Sequence, residues 1–368
     1  MAIEPFLLER YFAKYEFKAK YMLSSSDAES MSLDDLLAYE PDIKNTLGKT
    51  WLGYSDSNGI PELREEIATT YTSIKPSQIL THTGAEEPIF NLLSSMLKSG
   101  DHVIAHFPGY QSVYSIPKML GCDLTLWKSR FEDGWKLDLE ELKRILRPTT
   151  KLVIVNFPHN PTGYIPALDE FQELIKVLRE KGVMLLSDEV YRGLESPSSI
   201  RLPAACDLYE RAVSLGVVSK AYGLAGLRTG WIATKDEAIY NNMASFKDYT
   251  TICNPILSEK LAAVAVRHRD AIIGRNQKIV TNNIIIAEQF FAAHADRFEW
   301  VRPLGGTMAF PRAKKNFDME LFSKNLLDRE SVMLISGRYF NVTHDHFRLG
   351  LGRKNFPEVF EIFKKALG

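Results

Sequence analysis

The sequence predicts an α/β protein: a large lobe built on a mostly parallel sheet flanked by helices, joined to a smaller α+β lobe. Three observations carry this reading. From about residue 83 to residue 234, short apolar runs rich in β-branched residues alternate with stretches of helical periodicity, the pattern of strands joined by crossover helices. After Asn254-Pro255 the pattern changes to long helical stretches separated by short apolar runs. A chain of 368 residues is also too long for one small core and suits two lobes.

The elements follow in order. Residues 1–20 are broken by Glu4, Glu9, Arg10, Lys14 and Glu16, so they lack the basic-then-apolar plan of a secretory signal. Leu7, Leu8, Tyr11 and Tyr15 recur at helical spacing and predict a short amphipathic arm, expected to pack near the C-terminal lobe. A helix is expected over 89–97. Strands are expected over 103–107, 124–127, 151–157, 183–187, 213–218 and 230–234, with helices over 137–146 and 167–181 between them. Further on come helices over 257–266 and 271–293, the second linking the lobes. Strands over 305–311, 332–336 and 347–351 and a closing helix over 357–367 complete the chain. The expected division is 1–45 as the arm and part of the small domain, 46–255 as the large domain, and 256–368 as the linking helix and C-terminal small domain.

Bulk composition excludes several functions. Lys and Arg number 45 against 46 Asp and Glu, which leaves no basic surplus to draw nucleic acid or an anionic membrane. No apolar run approaches the roughly 18 residues that would span a bilayer. Cys122, Cys206 and Cys253 are far apart and show no metal-ligand spacing. No metal is assigned, and a reducing, cytoplasmic setting is expected.

Candidate chemistry gathers where the apolar runs end, which is where ligands of open parallel sheets sit. Asn156-Phe157-Pro158-His159-Asn160-Pro161-Thr162-Gly163 follows the run 152–155. Ser187-Asp188-Glu189-Val190-Tyr191 follows 183–186. Ser219-Lys220-Ala221-Tyr222-Gly223-Leu224-Ala225-Gly226-Leu227-Arg228 follows 212–218. Upstream, Thr83-Gly84-Ala85-Glu86-Glu87 precedes a helix; such a glycine lets backbone approach an anion, and the first helical amides point at it. An ordinary glycine turn with acidic residues at the helix start explains the same residues. Taken singly, each motif has a plain structural reading: Asp188 as a cap, Asn-Pro-x-Gly as a turn, Ser-Lys as surface. Their joint order at successive strand ends argues for one site.

Together these segments resemble the fold-type I, class I/II aminotransferases that depend on pyridoxal 5′-phosphate (PLP). The resemblance covers nearly the whole chain and weakens over roughly the first 45 residues, as expected of a terminal arm. It implies the PLP-dependent transferase fold type I, and roles for single residues. Lys220 would hold the cofactor as a Schiff base and then move the Cα proton. Asp188 would keep the ring nitrogen protonated by charge pairing. Asn160 and Tyr191 would hydrogen-bond the ring's phenolic oxygen. Tyr110, in Phe107-Pro108-Gly109-Tyr110, would stack on the ring or serve as a core tyrosine. Gly84, Ala85 and Glu86 through backbone amides, and Arg228 through its guanidinium, would hold the phosphate.

Tyr54, in Trp51-Leu52-Gly53-Tyr54-Ser55, matches a tyrosine that reaches the neighbouring subunit's phosphate, which implies a homodimer. Many relatives carry Ser or Thr three residues before the lysine; here Val217 stands there. Ser219 remains a cofactor-ligand candidate beside the lysine, but neither it nor Ser214 replaces that hydroxyl by position. Arg348, in His346-Phe347-Arg348-Leu349-Gly350-Leu351, would clamp the substrate α-carboxylate, with Arg353 as its rival. A solvated surface arginine is the plain reading of both. His159 reads as a loop bystander.

The implied activity moves the α-amino group of an L-amino acid to an α-keto acid. Several stretches, including Lys247-Asp248-Tyr249-Thr250-Thr251, Gly305-Gly306-Thr307-Met308 and Ser24-Ser25-Ser26, resemble a capreomycidine synthase-like branch. That branch performs elimination and cyclisation on a hydroxylated arginine with the same machinery, so the shared residues do not separate the two reactions. Selection of the substrate side chain is expected to involve the arm near Ser25 to Asp27. A non-enzymatic sensor domain of a transcription regulator is a third reading; the residues before Tyr54 are too few for a helix-turn-helix module beside the arm.

Overall fold

We describe a computed structural model of the chain over residues 3–314, 317–343 and 345–368. Its centre is a seven-stranded sheet: β1 (Ile79–His82), β2 (His102–Phe107), β3 (Asp123–Lys128), β4 (Thr150–Asn156), β5 (Met184–Asp188), β6 (Ala212–Val217) and β7 (Gly230–Thr234). The order across the sheet is β1-β7-β6-β5-β4-β2-β3. β7 runs antiparallel to β1 and β6, and all other neighbours are parallel. The expected mostly parallel α/β architecture is therefore present.

The strands read as unbroken apolar runs because helices cover both faces. Leu152, Ile154, Leu186 and Val213 enter one core cluster, while Val153, Val155, Leu185 and Ala212 enter the other. This is the period-two alternation of a strand, with both sides buried. Full burial of each Val or Leu stabilises the fold by roughly 1.5–3 kcal/mol.

Six helices matter for the site and its surroundings: α1 (Leu7–Tyr15), α2 (Glu86–Met96), α3 (Leu168–Lys181), α4 (Glu237–Lys247), α5 (Ile256–Arg267) and α6 (Arg269–Ala293). α3 illustrates how sequence sets such a crossover. Phe171, Leu174, Ile175 and Leu178 bury one stripe, Asp169 and Glu170 sit in the first turn, and Arg179 and Lys181 in the last. Gly182, at φ +64°, ends the helix in the left-handed region. α6 has 25 residues and so runs roughly 37 Å. It packs against the closing helix Phe356–Ala366.

The C-terminal part carries short strands. Phe347–Gly350 lies between Met308–Ala309 and Ile335–Ser336. The N-terminal arm joins it through Tyr21–Met22, which pairs in parallel with Val332–Met333.

Three expectations about elements are corrected. The strand expected over 305–311 shrinks to Met308–Ala309, because Gly306 at φ +80° leaves the extended region. The strand expected over 332–336 is two, Val332–Met333 and Ile335–Ser336, which pair with different neighbours. β1 was not expected at all: two of its four residues, Thr81 and His82, are polar yet fully buried. The remaining expected elements match within three residues at each end. The structure adds helices Pro61–Ala68, Ser112–Met119 and Glu237–Lys247. Among the described residues no helix is long and apolar enough to cross a membrane.

Candidate active site

A cavity of about 340 Å³ opens at the carboxyl ends of β2, β4, β5 and β6. β4 ends at Asn156, whose Nδ2 donates to the Asp188 carbonyl at 2.9 Å and whose Oδ1 accepts from the Asn160 amide at 2.7 Å. This one side chain ties the ends of β4 and β5 to the loop that carries Asn160. Asn160 lines the cavity, with its Oδ1 accepting from Arg348 Nη1 at 3.4 Å.

β5 delivers Asp188 to the same cavity. Its Oδ1 accepts from the Val190 amide at 3.2 Å. Burial pushes its carboxyl up to about 7, against the pull of that amide and of the Lys220 charge. Tyr191 follows, 1% exposed. Its hydroxyl lies near Ser26 without a well-formed hydrogen bond, so its donor is free.

Lys220 follows β6 and points into the cavity. Its Nζ donates to Ser26 Oγ at 2.8 Å. Burial lowers its basicity, opposed by the Asp27 carboxylate. The loop after Lys220 can press against the N-terminal arm because residue 223 is glycine: its φ is +72°, and a Cβ there would strike the Glu29 carbonyl. Ser219 lines the cavity and its buried hydroxyl has no partner. Val217 lines it too, as an apolar wall.

The phosphate-loop candidates sit opposite. Ala85 and Glu86 line the cavity at the start of α2, where helical amides favour an anion. Gly84 lies just behind them, at φ +73°. Its amide donates to the Arg228 carbonyl at 3.1 Å, and a Cβ on it would strike the Arg228 guanidinium. Only glycine leaves room for that guanidinium. Among the described residues Arg228 has no carboxylate partner; its Nη1 donates to the Ala225 carbonyl at 3.2 Å.

Tyr110 lines the cavity beyond β2, and its hydroxyl donates to Glu9 of α1 at 2.9 Å. His159 also lines the cavity, stacked on His106 with ring centroids 3.8 Å apart. Burial takes His159 down to about 3, so it is neutral.

Arg348 lies outside the lining, 1% exposed on Phe347–Gly350. Its Nε donates to the Ser24 carbonyl at 3.0 Å, while its Nη2 has no partner. Its rival Arg353 is engaged, bonding both oxygens of Asp27 at 3.0 and 2.8 Å. Tyr54 is not brought to the cavity. It is 82% exposed, beside the exposed Trp51 and Leu52.

Sequence reasoning placed Ser26 in the stretch expected to help select the substrate side chain, quoted Asn156 only as the head of its motif, and gave no role to the acidic face of the helical arm. Glu9, Phe12 and Glu16 line the cavity from one face of α1, joined by Ser25, Ser26 and Asp27. The spacing 9-12-16 marks a single helix face in the sequence, but nothing local says what that face meets. Burial and the neighbouring Asp27 and Glu9 charges raise Glu16 above the usual carboxylate range.

This donor set fits PLP. A half-buried carboxyl without an ion-pair partner, the cradle of Gly84 against Arg228, and the unpartnered hydroxyls of Tyr191 and Ser219 are what a phosphorylated pyridinium phenol would satisfy.

Comparison with known proteins follows the same line. The family described as aminotransferase class I and II matches residues 19–356. Capreomycidine synthase from Streptomyces vinaceus is 31% identical over 350 residues, covering 95% of this chain and 88% of that protein. A crystal structure of a PLP-dependent aminotransferase from Streptococcus suis 89-1591 aligns with a TM-score of 0.94 at 31% identity, over 100% of this chain and 98% of that one. The structure of a PLP-dependent cyclase, OrfR, aligns with a TM-score of 0.90 at 28% identity, over 100% and 97%.

Proposed function

Because the chain belongs to the class I and II aminotransferase family, an enzyme family with PLP-dependent relatives, we propose that it holds PLP in the Lys220 cavity. There it moves the α-amino group of an L-amino acid to an α-keto acid. The observation that carries this reading is the meeting of a half-buried amine, Lys220, and a half-buried carboxyl, Asp188, in one cavity, each shifted toward its neutral form by desolvation.

Bound there, PLP supplies an electron sink for the pair left when the Cα–H bond of the amino acid breaks. Asp188 would hold the protonated ring nitrogen, and Asn160 and Tyr191 would donate to the phenolic oxygen. Ala85, Glu86 and Arg228 would take the phosphate, with Ser219 a further candidate through its unpartnered hydroxyl and Val217 contributing none. Lys220, made less basic by burial, binds the cofactor and later carries the proton between carbon atoms, its Nζ oriented by Ser26. Arg348, with Nη2 free, receives the substrate α-carboxylate.

The working unit in this proposal is a homodimer. Trp51, Leu52 and Tyr54, close together in the chain, are 78%, 75% and 82% exposed, an apolar and aromatic stretch suited to a second copy, from which Tyr54 would reach the other subunit's phosphate. Cys122, Cys206 and Cys253 are free thiols, in keeping with a cytoplasmic enzyme.

A second reading, elimination and cyclisation, has one observation in its favour. Glu9, Glu16, Asp27 and Glu86 all line the cavity, which suits a substrate with a cationic side chain, and a capreomycidine synthase is among the relatives. Acceptor dependence separates the two. Aminotransfer requires an α-keto acid, gives ping-pong kinetics, and leaves pyridoxamine phosphate when the acceptor is withheld. Consumption of a β-hydroxylated basic amino acid with no acceptor and no pyridoxamine form replaces it with the second reading.

A further inference from the structure

A second cavity, of about 380 Å³, backs onto the first, with Val190 and Val217 lining both. Ala221 and Tyr222, the two residues after Lys220, form part of its wall, together with residues 69–71 and the first turns of α6. Three guanidinium groups face it: those of Arg192, Arg201 and Arg269. Arg192 Nη1 donates to the Thr70 carbonyl at 2.9 Å, but its buried Nε has no partner. Arg269 Nη1 is held by Thr69 Oγ1 at 3.1 Å and by the Val266 carbonyl at 3.2 Å. Arg201 Nε pairs with Glu195 at 3.1 Å.

A guanidinium has five N–H donors, so these anchors fix the groups in place and leave most donors unused. Among the described residues neither Arg192 nor Arg269 forms an ion pair. Arg267, two positions before Arg269, meets Glu40, Glu62 and Glu66 at once. An arginine held in place without a carboxylate is also the state of Arg228 and Arg348 at the first cavity. Burial raises the Tyr222 phenol, and the Arg269, Arg192 and Arg201 charges oppose that shift.

Two carboxyl groups face the same space. Asp270 is exposed at its rim. Glu189 has its Oε1 engaged by the Ala205 amide and the Ser214 hydroxyl, while its Oε2 is buried without a partner. Burial favours its neutral form, in which that oxygen is able to donate a hydrogen bond.

We propose that this cavity is a second ligand site, for a small oxyanion with two negative charges such as phosphate or a dicarboxylate. Its occupant would touch the loop that carries Lys220. It would also touch α6, whose Asn276 Nδ2 already donates to the Ala221 carbonyl at 2.9 Å.

Titration calorimetry on the PLP-loaded protein tests this, with inorganic phosphate and succinate as separate probes. The expected result is saturable binding of at least one probe, retained in Arg348→Gln and weakened about tenfold or more in Arg192→Gln and in Arg269→Gln, the loss expected of a charge-assisted pair. The probe that binds tighter assigns the source as phosphate or carboxylate. Arg269 lies on a partly exposed first helical turn, so its variant serves even if Arg192→Gln fails to fold. No saturable binding of either probe overturns the proposal, as does undiminished binding in Arg269→Gln. Loss of binding in Arg348→Gln assigns the ion to the first cavity and overturns it as well.

Discussion

Lys220 Nζ donates to the Ser26 hydroxyl across 2.8 Å, although 194 positions separate the two residues. The contact joins the loop after β6 to the N-terminal arm, and the Ala28 amide reinforces it by donating to the Lys220 carbonyl at 3.3 Å. The amine assigned to proton transfer is therefore aimed by the arm. Ser26→Ala is expected to slow Cα-proton transfer about fivefold, the loss of one neutral-strength hydrogen bond, with little change in folding. Single-turnover absorbance measurements check this, and an unchanged rate makes the contact incidental.

Asp188 carries more. If its carboxylate holds the ring nitrogen, Asp188→Ala loses at least about 100-fold in the rate of Cα deprotonation, the scale of losing a preorganised electrostatic partner. Asp188→Glu retains more. Near-normal single-turnover rates in the alanine variant would reduce Asp188 to a cap on the Val190 amide.

The raised carboxyl of Asp188 also has a signature in stability. In the folded chain it titrates at about 7, against about 3.9 when unfolded, so between those values the folded state binds the extra proton. Its contribution is full below about pH 4 and is lost as pH rises through about 7. Cofactor-stripped protein should thus lose thermal stability relative to Asp188→Asn across that window. A difference in melting temperature that stays flat with pH contradicts the assignment. PLP should remove the trend, since a cationic ring nitrogen favours the carboxylate.

Much of the fold was legible because β4, β5 and β6 are buried on both faces and appear as plain apolar runs. β1 was hidden by Thr81 and His82, polar side chains that only the folded core encloses. The break between Met333 and Ile335 depends on two separate pairing partners, which no local pattern records. At the site, Lys220, Asp188 and Asn160 are announced by motifs at strand ends, and the structure brings them to one cavity. Glu9 and Glu16 reach that cavity only because the arm folds back over it, a tertiary closure with no sequence signal beyond one helix face, whereas the arm near Ser26 was expected at the substrate. Tyr54 stays exposed in the single chain, and its proposed role needs a second chain.

That role can be tested by mixing variants. Tyr54→Ala and Lys220→Ala are each expected to be severely impaired, Lys220→Ala to the point of no turnover. A hybrid dimer would contain one site with neither defect, so mixing should restore part of the activity. A fully active, monodisperse monomer in sedimentation would exclude the shared site.

The central claim is that Lys220 binds the cofactor, and borohydride reduction tests it most directly. Reduction of the yellow, PLP-saturated protein followed by peptide mass analysis should place one pyridoxyl group on Lys220, absent in Lys220→Ala. A label on another lysine, or none at saturation, would contradict the account.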